Sequence, residues 1–376
     1  MTATSALLLS VATTLASAAP GGDAWARTDI GGVRGITIGP IENAYHPGIG
    51  YGSPAFDRAL VEAQMAGATW VAITPFGRVA NLTSTAIDLT FEVPFERNRI
   101  DVLRAIDMAH ARGLRVMLVP HLWVESGQWR GDIDPGSTEA WARWADSYSR
   151  FLGTWARLAE IARAEMLSVG VELTSWVTSG HAPTFQRVVR DIRSIYHGLL
   201  TYSANWDDVE KTTILSDLDV IGINAFYPLA DRPGAQLPAL AARARAIRDK
   251  LHRFAEMWRR PVLFTEMGYT TRHDPALRPW EWPDSMNDVS VDERAQADAY
   301  RALLAPMLEE LDFAGFFVWR VYADPNDVSQ EAPWGFSPRG KEAELVLRDA
   351  FAAHWASDVP ALGAWGRAAH TPGFLP

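Results

Sequence analysis

The sequence predicts a single-domain (β/α)8 TIM barrel, and three observations carry that expectation. Eight short apolar runs recur along about 300 residues, helical patterns separate them, and no phosphate-binding glycine loop follows the first run. The runs are Val33–Ile38, Trp70–Thr74, Arg115–Pro120, Leu167–Val171, Leu199–Ser203, Val220–Asn224, Val262–Thr265 and Gly315–Trp319. Most are near-continuously hydrophobic rather than alternating, as parallel strands covered on both faces must be. A doubly wound open sheet is the competing arrangement. It requires a G-x-G-x-x-G or P-loop turn after the first strand, and neither is present.

Between the strands, Ser53-Pro54 reads as an N-cap followed by proline in the first helical turn, with Gly67 placed to end that helix. Ile100, Leu103, Ile106 and His110 keep helical spacing before Gly113. Trp141, Trp144, Tyr148, Phe151, Trp155 and Leu158 form a long stripe, followed by Leu240, Ala244, Ile247, Leu251 and Phe254, and by Ala299, Leu303, Met307 and Leu311. Stripes at this period are core faces. Ahead of the barrel, residues 1–26 hold an apolar run from Ala6 to Ala18 and small residues at Ala16-Ser17-Ala18. This suits a signal peptide and an exported protein, although no Lys or Arg precedes the run; a disordered leader on a cytoplasmic protein is the alternative. The catalytic domain is then expected over 27–376.

Composition narrows the chemistry. The chain of 376 residues has no cysteine, which removes disulfides, thiolate metal sites and cysteine nucleophiles. Its formal net charge of -10 argues against nucleic acid, which needs a basic face. Nothing is long and apolar enough to span a membrane. The histidines include no H-x-H or H-E-x-x-H spacing and no G-x-S-x-G elbow occurs, so no metal, organic cofactor or serine nucleophile is implied. Sixteen tryptophans supply flat apolar faces suited to sugars. The expected partner is a polysaccharide or oligosaccharide, and the expected state a monomer.

A barrel places its chemistry at the C-terminal ends of its strands. Those ends carry Arg78 after the second strand, His121 and Trp123 after the third, Glu172 after the fourth, and Asn205 and Trp206 after the fifth. Asn224 and Tyr227 follow the sixth, Glu266 the seventh, and Trp319 ends the eighth. Glu172 and Glu266 are 94 residues apart, which is three βα units, so they should face each other across the mouth. A single buried glutamate can be a salt bridge, for instance to Arg78 or Arg320. Two of them among His, Asn, Tyr and Trp point to a carboxylate pair for glycoside hydrolysis, one protonating the leaving oxygen and the other attacking the anomeric carbon or activating water. Trp123, Trp206 and Trp319 are stacking candidates, whereas Trp70 lies inside a strand. The loops Glu125–Gly136 and Thr270–Val291 should shape the cleft, with Trp129, Trp280 and Trp282 as outer subsites or rim packing.

Several of these segments resemble glycoside hydrolase family 113, a group of the clan of retaining (β/α)8 glycoside hydrolases known chiefly for β-1,4-mannanases. The resembling segments are Gly35-Ile36-Thr37-Ile38-Gly39-Pro40, Ala72 to Arg78, Val169-Gly170-Val171-Glu172-Leu173, Phe264-Thr265-Glu266-Met267-Gly268-Tyr269, and Asp292 to Ala297 with Tyr300. The resemblance implies Glu172 as acid/base and Glu266 as nucleophile. It also implies that Arg78 steadies the nucleophile's charge, Tyr227 hydrogen-bonds it, and Trp319 floors the adjoining sugar subsite. One position departs: many clan members carry Asn immediately before the acid/base residue, where this chain has Val171, leaving Asn205 or Asn224 to contact the sugar 2-hydroxyl. The resulting expectation is a retaining hydrolase of β-1,4-mannan. An exo-acting β-mannosidase, another β-glycosidase of the clan, and a non-catalytic carbohydrate-binding protein on the same scaffold stay open as alternatives.

Overall fold

The structure is a computed structural model, and it describes residues 32–39, 48–90, 93–281, 289–324 and 333–358. The expected leader and Trp282 lie outside these residues. In chain order the strands are β1 (Val33–Gly39), β2 (Trp70–Ile73), β3 (Phe76–Val79), β4 (Arg115–Leu118), β5 (His121–Val124), β6 (Met166–Val171), β7 (Leu199–Asn205), β8 (Ile221–Asn224), β9 (Val262–Met267) and β10 (Phe313–Tyr322). Eight of them, β1-β2-β4-β6-β7-β8-β9-β10, close into a barrel with every neighbouring pair parallel. All eight expected strands are present, so the predicted (β/α)8 barrel is the observed fold.

Its helices are α1 (Pro54–Met65), α2 (Phe95–Ala111), α3 (Thr138–Ala162), the single turn α4 (Thr174–Val177), α5 (Ala182–Arg193), α6 (Leu237–Trp258), α7 (Glu293–Met307) and α8 (Glu342–Ala352). Local chemistry starts them where the sequence says. The Ser53 hydroxyl accepts the Phe56 amide at 3.1 Å ahead of Pro54, the Ser137 hydroxyl accepts the Ala140 amide, and the Asp292 carboxylate accepts the Ala295 amide. The aromatic stripe of α3 is buried throughout, with Trp144, Tyr148 and Phe185 packed around Trp176.

Two stripes differ from expectation. Ile100 is exposed and Leu103 only half-buried, because Val102, Ala105, Ile106 and Ala109 form the inward face of α2. Small alanines there let the helix close on the barrel. Leu311 is 77% exposed, since α7 stops at Met307, just after Pro306, whose missing N–H removes a helical bond.

The core has two layers. Val33, Trp70, Ala72, Met117, Val119, Met166, Val171, Leu263 and Phe317 fill the bore, while the alternate strand residues, such as Val71, Ile73, Val116 and Leu118, meet the helices. Gly35 makes the bore possible on its side: a Cβ there would come within 2.3 Å of the Phe317 ring. Phe317 in turn meets Trp70 edge-on, so Trp70 is core as expected.

The structure adds one feature that the eight-strand reading lacks. After Pro75 and Pro120, β2 and β4 resume as β3 and β5, which pair with each other above the barrel in a separate parallel ribbon. Proline cannot donate to a ladder, so both strands break there. The His121 amide then donates to the Pro75 carbonyl at 2.8 Å and restarts the pairing. Leu122, Val124, Gly77 and Val79 face the interior, leaving Phe76, Arg78, His121 and Trp123 on the other face. No described helix is long and apolar enough to cross a membrane.

Candidate active site

The two glutamates lie at the same barrel mouth, Glu172 just after β6 and Glu266 within β9, and sit in unlike surroundings. Glu172 directly follows β6 at φ 51°, a left-handed conformation that costs a non-glycine residue about 1–3 kcal/mol. It is held there because its amide donates to the Ser203 carbonyl at 2.9 Å, and the next amide, of Leu173, donates to the Tyr202 hydroxyl at 2.7 Å. Strain fixed from both sides aims the carboxylate into the mouth, and a strained, over-determined residue is a common mark of a working site.

That carboxylate is well supplied with donors. Oε2 accepts Arg130 Nη1 at 2.7 Å and Trp129 Nε1 at 3.0 Å, and Oε1 accepts Asn224 Nδ2 at 2.9 Å. The Asn224 amide is oriented by Thr265, whose hydroxyl donates to Asn224 Oδ1 at 3.0 Å. Asn224 is wholly buried and stands in register with Glu266 across the β8–β9 pair, so one amide adjoins both acids.

Glu266, inside β9, lacks such support. Its Oε1 is buried with no hydrogen-bond partner, and His121 Nε2 is 3.4 Å away. Burial, then the charge of Glu172, push its carboxyl up to about 8, against the opposing pull of Arg130 and Arg320 and of Asn224. His121 is fully buried too. Burial first, then Arg130 and Arg320, hold its imidazole well below the usual histidine range, so the ring is neutral, and neither nitrogen has a hydrogen-bond partner. Glu172 and Glu266 retain 8% and 6% exposure, so the pair is sheltered without being sealed.

The remaining predicted residues fall into two groups. His121 packs against Phe76 at 4.9 Å and stacks on Trp319 at 6.1 Å, joining β5 to β10 over Glu266. The Trp319 ring also carries the Arg320 guanidinium at 4.7 Å, so this floor is shared by a cation rather than bare. Trp123 is 50% exposed on the β5 face that carries His121. Trp206 sits half-buried between Tyr227, edge-on at 5.7 Å, and Trp280, stacked at 5.3 Å, so the loops after β7 and β9 meet through an aromatic pair.

Three implied roles take another form. Arg78 pairs with Glu125 at 3.0 Å and Asp88 at 3.3 Å, not with Glu266; the cations acting on Glu266 are Arg130 and Arg320. Tyr227 makes no bond to Glu266 among the described residues, because its ring is turned toward Trp206 and Phe264. Asn205 donates to Asp207 at 2.8 Å, while Asn224 serves Glu172 directly.

Sequence reasoning missed Arg130 and gave Trp129 a different place. Both come from the long loop after β5, and nothing in their spacing relative to Glu172 marks the contact. It also missed Asp208, 5% exposed, whose carboxylate accepts the Thr174 hydroxyl. Burial first, then the neighbouring charges of Asp207 and Glu172, raise it to about 6. The cluster His252, Glu310 and Asp312 has metal-ligand chemistry but lies beside the N-terminal end of β10, with Glu310 held by Arg248 at 3.0 Å.

A strained acid with three donors and a second acid beside it whose Oε1 has no hydrogen-bond partner can divide proton donation and nucleophilic attack between them. The sequence model of Glycoside Hydrolase Family 113 matches residues 50–334. No curated protein sequence matches the chain. Among solved structures, a GH113 β-mannanase from Alicyclobacillus acidocaldarius superposes with TM-score 0.74 at 26% identity, over 86% of this chain and 98% of that one. A GH113 β-1,4-mannanase in a complex superposes with TM-score 0.73 at 22% identity, over 85% and 99%. The β-glucuronidase of Ruminococcus gnavus shares the fold at 13% identity and TM-score 0.57, with 85% of this chain matched to 50% of that one.

Proposed function

As the chain belongs to glycoside hydrolase family 113, we propose that it cleaves β-1,4-linked mannan or its oligosaccharides by double displacement with retention at the anomeric carbon. Glu266 attacks that carbon while Glu172 protonates the departing oxygen. In the second step Glu172 takes a proton from water, which releases the sugar from Glu266. The observation that carries the reading is the convergence of two inequivalent carboxylates on one amide, Asn224, at the barrel mouth. The mannan class is supported by the named β-mannanases that share the fold over almost their whole length.

The roles need Glu266 ionised and Glu172 protonated when substrate is bound. Arg130 and Arg320 work toward the first condition only in part, against the burial and the Glu172 charge that raise the Glu266 carboxyl to about 8. The Trp319 and Trp123 faces supply stacking surface for the sugar, and neutral His121 supplies a donor beside Glu266.

The test is hydrolysis of mannan, mannooligosaccharides, cellulose, xylan and chitosan, with products sized and the first-formed anomer read by proton NMR. Mannooligosaccharides appearing first as the β-anomer support the reading. An α-anomer makes the enzyme inverting, and binding to mannan without any product makes it a carbohydrate-binding protein.

A further inference from the structure

Trp129 and Arg130 do more to Glu172 than a rim loop would. Oε2 of Glu172 takes two donors from adjacent residues, at 3.0 and 2.7 Å, and Oε1 takes the Asn224 amide. A proton added to Oε2 would point at two N–H groups, so Oε2 cannot carry the acid proton while both are in place. The loop is built for this contact. Gly131 carries no side chain, and a Cβ there would come within 2.3 Å of the Trp129 ring, so the indole folds flat over the turn toward Glu172. Arg130 Nε donates to the Leu122 carbonyl at 3.0 Å, which fixes the near end of the guanidinium while Nη1 reaches the acid. Farther along, the Asp134 amide donates to the Leu82 carbonyl and the Ser175 hydroxyl to the Ile133 carbonyl, pinning the loop to the barrel rim.

We infer that Trp129 and Arg130 are positioning residues that keep Oε2 of Glu172 free of a proton in the resting enzyme and must release it before Oε2 can donate a proton to the leaving group. A leaving-group sugar brings its glycosidic oxygen against Oε2 and takes the place of the two donors. Acid catalysis is thereby tied to occupation of the leaving-group side. This rests on the glycosidase reading, under which Glu172 is the proton donor. The other charged or titratable groups facing Glu172 are Glu266 from β9, Asp208 after β7 and Tyr202 in β7, with Arg320 and His121 acting on it through Glu266. Arg130 is the cation bonded to Glu172 among the described residues.

The experiment compares wild type, Arg130→Met, Arg130→Lys and Trp129→Phe. Carboxyl titrations are followed by carbon NMR on glutamate-labelled protein, and kcat/KM against pH is measured on phenyl and 2,4-dinitrophenyl β-mannosides. In Arg130→Met the Glu172 titration and the alkaline limb for the phenyl substrate should both move up by about one pH unit, as expected when an opposite charge is removed from bonding distance. The acid limb should rise less, because Arg130 acts on Glu266 only through space. Arg130→Lys should restore most of the wild-type profile, and Trp129→Phe should give a smaller shift. The dinitrophenyl substrate needs no proton donor, so its kcat/KM should show no Glu172-dependent alkaline limb in wild type or variant. An unmoved Glu172 titration in Arg130→Met, or a lower but superimposable pH profile, overturns the inference. Absence of turnover in wild type would sink the hydrolase reading instead, while the NMR titration would still decide the hold on Glu172.

Discussion

The mouth of the barrel over β6 and the mouth over β9 present the same functional group in opposite settings. At β6, Glu172 is strained in its backbone, holds three donors and is paired with a guanidinium. At β9, Glu266 lies inside the strand where its register with β8 and β10 shifts, is equally buried, and its Oε1 has no hydrogen-bond partner, with neutral His121 at 3.4 Å. Burial alone therefore does not set the behaviour of an acid in this pocket. What differs is the supply of donors, and two of the three on Glu172 come from the loop after β5. An enzyme needing one acid and one nucleophile gains from such inequality, because two identical neighbours would compete for the same proton.

The comparison breaks most visibly if the two acids are exchangeable. Glu266→Ala should lower hydrolysis of mannooligosaccharides by roughly 10⁴–10⁶-fold, as loss of a member of a catalytic unit does. It should also abolish covalent labelling by a 2-fluoro-mannoside, read by intact mass. Persistent labelling would move the nucleophile elsewhere. Glu172→Ala should cost about 10²–10⁴-fold on poorly activated leaving groups, much less on dinitrophenyl glycosides, and azide should rescue it with formation of a glycosyl azide. Equal losses on both substrates would remove the acid/base role.

Asn224 is the shared element, and Asn224→Ala leaves Glu172 Oε1 and the Thr265 hydroxyl short of a partner. A fall of roughly 10–100-fold in kcat/KM is expected, the kinetic equivalent of leaving a buried polar group unsatisfied. A loss confined to KM would make the amide a substrate contact instead.

The smallest effect concerns stability. Glu266 binds its proton more tightly folded, at about 8, than in the unfolded chain, where an ordinary glutamate loses it near pH ~4.3. The folded state thus holds more protons throughout that window, and the contribution of Glu266 to stability is lost as pH rises through it. Glu266→Gln, which cannot ionise, should therefore raise the melting temperature more at pH 8 than at pH 5. A gain independent of pH would mean that the carboxyl carries no such penalty.

Much of this protein is legible without coordinates. Eight buried runs at βα spacing can satisfy their backbones and cover both faces in few ways, so the barrel follows from periodicity and from the absence of a phosphate loop. Position then places Glu172 and Glu266 at strand ends, since a carboxylate closing an apolar run has nowhere else to go. Other features depend on distances that periodicity does not encode. The pairing of β3 with β5 beyond Pro75 and Pro120, the turn of Arg78 toward Glu125, and the reach of Trp129 and Arg130 onto Glu172 are decided by where loops land. A repeat in sequence constrains a backbone because hydrogen bonds and burial recur with it. A loop side chain meets its partner only once the whole barrel has closed, so its electrostatics belong to the tertiary structure alone.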